Sequence, residues 1–100
     1  MSSVELEQKD QLTKLKAPNK FHVIMLNDDS TPMDFVVNIL LQVFNHTIET
    51  ASDIMIEVHE KGRSIAGTYT YEVAEQKCME TITTSRTNGY PLDVIIEESE

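Results

Sequence analysis

The sequence predicts an α+β fold of order β-α-α-β-α-β, with three helices packed on one face of a three-stranded antiparallel sheet. Two observations lead there. Three stretches place apolar residues at helical spacing, and three shorter runs are continuously apolar or alternating and are bounded by turn residues. Three strands make only one small sheet, which leaves the helices to cover it.

Residues 1–19 are polar, rich in Ser, Gln and Lys, and end in Ala17-Pro18-Asn19. Such a composition has little to bury, so a flexible extension is expected there, with one folded domain over residues 20–100. The run 21–26 holds Val23 and Ile24 and stops at Asn27-Asp28-Asp29, as a buried strand entering a turn does. Thr31-Pro32-Met33-Asp34 then starts a helix, with Thr31 as cap, Pro32 as first helical residue and Asp34 at the positive end. Met33, Val36, Val37, Leu40 and Phe44 would form its core face, to about residue 44.

A second helix is expected over residues 49–61, carrying Ala51, Ile54, Met55 and Val58 on one face, with Gly62 just past its end. Residues 64–69 read as a strand. Thr70 is placed to cap a third helix, with Val73, Ala74, Cys78 and Ile82 inward and a stop near Asn88-Gly89, before Pro91. Leu92, Val94 and Ile96 alternate with Asp93 and Glu97 in the last strand.

Composition excludes several classes of function. A hydrophobic fraction of 40% and a charged fraction of 25% are those of an ordinary globular domain. No run approaches the roughly 20 apolar residues of a membrane span, and the N-terminus lacks the order of a signal peptide, so a cytoplasmic protein with no membrane partner is expected. The lone Cys78 permits no internal disulfide and fits a reducing compartment. A formal charge of −9 repels phosphates, which argues against nucleic acid and for a cationic or apolar partner.

The segment Asn27-Asp28-Asp29-Ser30-Thr31-Pro32-Met33 closely resembles the signature of the ClpS adaptors: Asn-Asp-Asp, one variable residue, then Thr-Pro-Met. Met55-Ile56-Glu57-Val58-His59 is similar to the family's second element, Glu72 with Ala74-Glu75 and Lys77 to its third, and Pro91-Leu92 to its fourth. The resemblance covers residues 20–97. It implies a non-enzymatic adaptor that grips the free amino terminus of N-degron substrates beginning with Phe, Tyr, Trp or Leu. It also implies delivery to a Clp AAA+ unfoldase, ClpA- or ClpC-like; a monomer without cofactor or metal is expected. On this resemblance Asn27, Asp28 and His59 surround the α-amino group, and Asp29, Thr31, Met33, Val36, Met55, Val58 and Leu92 shape the side-chain pocket. Glu72 and Lys77 would face the ATPase, and the N-terminal extension would engage the unfoldase during delivery.

The chemistry of the residues agrees with that assignment. An α-ammonium presents three donors, and an amide oxygen, a carboxylate and a neutral imidazole nitrogen can accept them. Met55 and His59 lie four apart on a helix with Val58 beside them, so one surface offers an acceptor and two apolar walls.

Other readings of the same residues stand beside this one. Asn27-Asp28-Asp29 could be only a turn, Met33 and Met55 ordinary core filling, His59 a partner of the helix dipole, and Glu72 and Lys77 merely solvated. Asp28, Asp29 and His59 could bind a divalent ion in an enzyme site, although no nucleophile or second His accompanies them. An acidic domain binding a basic partner without N-terminal specificity is the further alternative. His22, His46 and the run Thr81-Ile82-Thr83-Thr84-Ser85 have no assigned role.

Overall fold

Hydrogen bonding places the first strand in the middle of the sheet. In the computed structural model, which describes residues 19–99, β1 (Phe21–Leu26) lies between β2 (Arg63–Tyr69) and β3 (Asp93–Glu98), and both pairings are antiparallel. The helices are α1 (Met33–Gln42), α2 (Ile48–Lys61) and α3 (Tyr71–Thr87), in the expected order. An antiparallel sheet with helices on one face needs a continuous apolar row only on that face, and β1 supplies it. Val23 and Met25 face the helices and are fully buried, while Ile24, on the opposite face, is covered by its cross-strand neighbours Ile65 and Ile95.

The pairing of β1 with β2 slips once. Val23 sits opposite Gly67 and Ile24 opposite Ile65, so Ala66 is the extra residue of a β-bulge. Its carbonyl is free of the ladder and accepts from the His46 ring, which fixes the loop between α1 and α2. That gives His46 a structural role.

On the inner face α3 touches all three strands, and α2 packs on α1 and β2. The core they enclose is built around Met25, Leu40 and Leu92, each at most 1% exposed. Full burial of one such side chain contributes about 1.5–3 kcal/mol. No helix among the described residues is long and apolar enough to cross a membrane. Of the expected extension 1–19, only Asn19 is among the described residues, and its amide donates to Glu98.

Three expectations need correction. Thr31 is not the cap of α1: the helix begins at Met33 with Pro32 in the cap position, extended at φ −63° and ψ 145°, and no side chain caps it. Proline has no N–H of its own to satisfy, and its carbonyl accepts from Phe35 and Val36 at 3.1 and 3.2 Å. The same helix stops at Gln42 and not near residue 44, because Asn45 turns the chain at φ 58°. Val43 and Phe44 remain in the core from outside the helix.

The third correction concerns the inward face of α3. Val73 is 38% exposed and Ile82 only partly buried, whereas Ala74, Cys78, Thr81 and Ser85 are buried at spacings of four, three and four. Small side chains let the helix approach the sheet closely. The Ser85 hydroxyl donates to the Thr81 carbonyl at 2.7 Å, so its burial leaves it satisfied. Thr70 takes the cap position of this helix by backbone conformation, with no side-chain bond. Burial pushes the Cys78 thiol up from its ordinary pKa, and the Asp93 and Glu75 carboxylates add to that, so it stays protonated and unreactive at neutral pH.

One close approach requires glycine. A Cβ on Gly67 would stand 2.6 Å from Cε2 and Cζ of Tyr69, whose ring folds back over it and lies 6.4 Å from the Phe44 ring. Gly67→Ala should therefore destabilise the fold by about 1–3 kcal/mol in urea titration, through displacement of the ring. In a Tyr69→Leu background the same change should be markedly milder; equal losses in both backgrounds would clear the ring of responsibility.

Candidate functional site

The connection from β1 to α1 is held in place before it is shaped for any task. The Asn27 N–H donates to the Gly62 carbonyl at 2.9 Å, which ties the end of the central strand to the residue that closes α2. Gly62 adopts φ 89°, a left-handed conformation suited to glycine, and its own N–H returns to the Val58 carbonyl. At the other end of α2, the Thr47 hydroxyl accepts from the Thr50 N–H. The last turn of α2, with Val58 and His59, is thereby brought against Asn27 and Asp28.

The turn itself is fastened twice. Thr31 N–H donates to the Asp28 carbonyl at 3.3 Å, and the Thr31 hydroxyl donates to Asp28 Oδ2 at 2.6 Å. Thr31 is buried, so this charge-assisted bond is shielded from competing water. The hydroxyl expected to cap a helix instead orients a carboxylate. Asn27 Nδ2 leans toward Asp29 Oδ1 at 3.4 Å, which leaves the Asn27 amide oxygen free to accept.

Between this turn, α1 and the end of α2 lies a cavity of about 270 Å³. Its polar end is lined by Asn27, Asp28 and His59, with Asp29 beside them. Its apolar walls come from Met33 and Val36 of α1, Met55 and Val58 of α2, and Leu92 just before β3. Thr31 completes the lining at the turn. The ten residues expected at the amine site and side-chain pocket thus line one cavity. Leu26 and Pro32 line it as well and went unmarked in the sequence, where they read as a strand end and a helix start.

Exposure grades along the cavity. Met33 is 48% exposed and stands at the mouth, while Leu92 at 1% is the deepest wall. No Lys or Arg lines the space, so the two carboxylates are not neutralised from within it. An acceptor-rich end without a cation attracts a donor-rich cationic group, and the adjoining apolar space takes a hydrocarbon side chain. Among the described residues no group of three His, Cys, Asp or Glu side chains converges on a metal position.

Glu72 and Lys77 lie elsewhere, on α3. Glu72 is exposed in the first turn. Lys77 is not a free surface charge: its Nζ donates to the Val43 carbonyl at 2.7 Å, close to the end of α1, and lies 6.0 Å from the centroid of the Tyr69 ring. It supplies an orphan carbonyl at a helix end with a cationic donor.

Comparison with known proteins bears on this arrangement. The family model described as ATP-dependent Clp protease adaptor protein ClpS matches residues 16–95. The ATP-dependent Clp protease adapter protein ClpS of Paraburkholderia phymatum is 46% identical over 94% of this chain and 88% of its own length. That of Burkholderia thailandensis is 44% identical over 97% and 91%. In three dimensions the chain is similar to Agrobacterium tumefaciens ClpS2, solved bound to L-phenylalaninamide, with a TM-score of 0.79 and 30% identity over 82% of this chain and 99% of that one.

The twofold fastening of the turn makes a stability prediction that needs no ligand. Thr31→Val keeps the volume and removes the donor to Asp28, and should lower stability by about 1.5 kcal/mol in urea. Thr31→Ser restores the hydroxyl and should recover most of the loss. If both variants lose the same amount, the bond to Asp28 is not what holds the turn.

Proposed function

This chain belongs to the ClpS family of Clp protease adaptors, and from that membership we propose that its cavity receives the first residue of an N-degron substrate. It acts by binding, as an adaptor that recognises a free amino terminus and delivers its bearer to the Clp protease. The observation that carries this reading is the joining of three acceptors and an apolar pocket in one cavity lined by no cation.

The ammonium of the first residue donates to the Asn27 amide oxygen, the Asp28 carboxylate and a ring nitrogen of His59. Asp28 is ready for this because Thr31 already holds one of its oxygens. The first side chain then extends past Met33 between Val36, Met55 and Val58 toward Leu92, with Asp29 and Thr31 completing the wall. L-Phenylalaninamide, the molecule bound to the Agrobacterium relative, combines a free α-amine with a bulky apolar side chain. Burying a Phe or Leu side chain contributes roughly 1.5–3 kcal/mol, up to about a hundredfold in affinity.

Handover uses a second surface. Glu72 and Lys77 on α3 meet a ClpA- or ClpC-like AAA+ unfoldase in the cytoplasm, the residues before the folded domain engage the same partner, and the adaptor works as a monomer. Lys77 is held against Val43 and Tyr69, so Glu72 is the more independent contact of the two.

Fluorescence anisotropy with short peptides tests the cavity. Peptides beginning with Phe, Tyr, Trp or Leu should bind, and those beginning with Ala, Ser or Lys should not. Acetylating the amine of the Phe peptide should nearly abolish its binding, because it removes the charge and strands acceptors at about 1–3 kcal/mol each. An acetylated peptide that binds as well as the free one would end this reading.

A degradation assay tests the second surface. Glu72→Lys should leave peptide affinity within about twofold, as befits an exposed residue outside the cavity, while reducing unfoldase-dependent turnover of a Phe-tagged substrate. Lys77→Glu is a less clean probe, since it also uncaps Val43 and should lower stability. Unaltered turnover with Glu72→Lys would remove this end of α3 from the docking surface.

A further inference from the structure

The deepest wall of the cavity is not held by the cavity. Leu92 precedes β3 in the connection 88–92, which contains Pro91 and therefore lacks one backbone donor. The Tyr90 N–H donates to the Ser85 carbonyl at 2.8 Å, and the Gly89 N–H to that of Arg86 at 3.0 Å. The carbonyls of Tyr90 and Leu92 are left for a side chain to satisfy. Arg86, in the last turn of α3, takes both: its Nη1 donates to Tyr90 O at 3.0 Å and to Leu92 O at 2.7 Å.

On the far side the Tyr90 ring packs against Phe35, centroids 4.7 Å apart, and Phe35 is the α1 neighbour of the pocket residue Val36. The segment carrying Leu92 is thus clamped between α1 and α3. Arg86 does not itself line the cavity. The carboxylate of Asp93 lies 3.8 Å from Nη2, but both side chains are about half exposed, so this ion pair contributes little beside the carbonyl bonds.

We propose that Arg86 is a positioning residue for first-residue selectivity, setting the depth of the side-chain pocket by fixing the Leu92 backbone. The proposal rests on the reading of that cavity as the site of the first residue. A planar guanidinium that bridges two carbonyls allows the wall a single position, and a pocket of fixed depth discriminates side chains by length. Released from Arg86, the wall recedes under a large side chain and loses contact with a small one. Arg86 bonds to none of Asn27, Asp28 and His59, so the amine site is left as it was.

The test compares Trp, Phe and Leu peptides, free and acetylated, on the full-length wild type, Arg86→Met, Arg86→Lys and Asp93→Asn, each checked for folding by thermal melt. Arg86→Met should shift preference toward Trp over Leu by about threefold, within the range a small misfit costs in an apolar pocket, and should keep its sensitivity to acetylation. Arg86→Lys keeps the stem and one donor direction and should shift less; Asp93→Asn should not shift. If Arg86→Met does not fold, the Lys variant decides. An unchanged Trp-to-Leu ratio, or an equal loss for every peptide, makes Arg86 a purely structural residue and overturns the proposal. A shift in Asp93→Asn as large as in Arg86→Met would assign the effect to the ion pair and overturn it too. A wild type indifferent to acetylation fails at the earlier step and takes down the reading of the cavity itself.

Discussion

The backbone bond from Asn27 to Gly62 is the constraint on which the site depends. It joins two chain segments that the sequence keeps 35 positions apart, the exit of the central strand and the close of α2. Without it the polar residues of the turn and the last turn of α2 would have no fixed relation. Gly62 makes the bond possible because its left-handed φ of 89° turns the chain directly into β2, which then pairs with the same strand that Asn27 ends. The loop and the sheet close on each other.

Around that junction the cavity reconciles two chemistries that oppose one another. Carboxylates are costly beside apolar walls, and a pocket for a hydrocarbon must stay dry. The structure separates them by length: acceptors gather at the turn, and the walls deepen toward Leu92, with exposure falling from 48% at Met33 to 1%. Thr31 mediates between them. Its hydroxyl holds Asp28 in place while its buried body belongs to the wall, so the carboxylate is oriented by the fold alone.

Much of this was legible in the residues and some of it was not, for identifiable reasons. Element order, the strand runs and the close of α2 at Gly62 follow from local periodicity and turn chemistry, which act within a few residues. The ten cavity residues were legible as a set only through the resemblance to the ClpS adaptors, since Met33, Met55 and Val58 alone read as core. Thr31 was assigned a local partner, the helix it precedes, but bonds backward to Asp28. Thr81 and Ser85 had no assigned role, because their burial depends on how closely α3 approaches the sheet, a distance that no periodicity encodes. Lys77 and Arg86 show the same limit most sharply. Their partners are carbonyls, of Val43 and of Tyr90 and Leu92, and a backbone carbonyl carries no mark in a sequence.

Those two cations also show what α3 does besides covering the sheet. The helix has 17 residues and so runs about 25 Å. Near its start stands Glu72, toward its middle Lys77 anchors the end of α1, and in its last turn Arg86 grips the segment that forms the pocket's deepest wall. A proposed docking residue and the support of the proposed substrate pocket therefore occupy opposite ends of one rigid element. On the proposed assignment, that separation would let an unfoldase sit at one end while a substrate's first residue stays buried at the other. Arg86 joins the helix to Leu92 at that far end, beside the backbone bond from Tyr90 to Ser85.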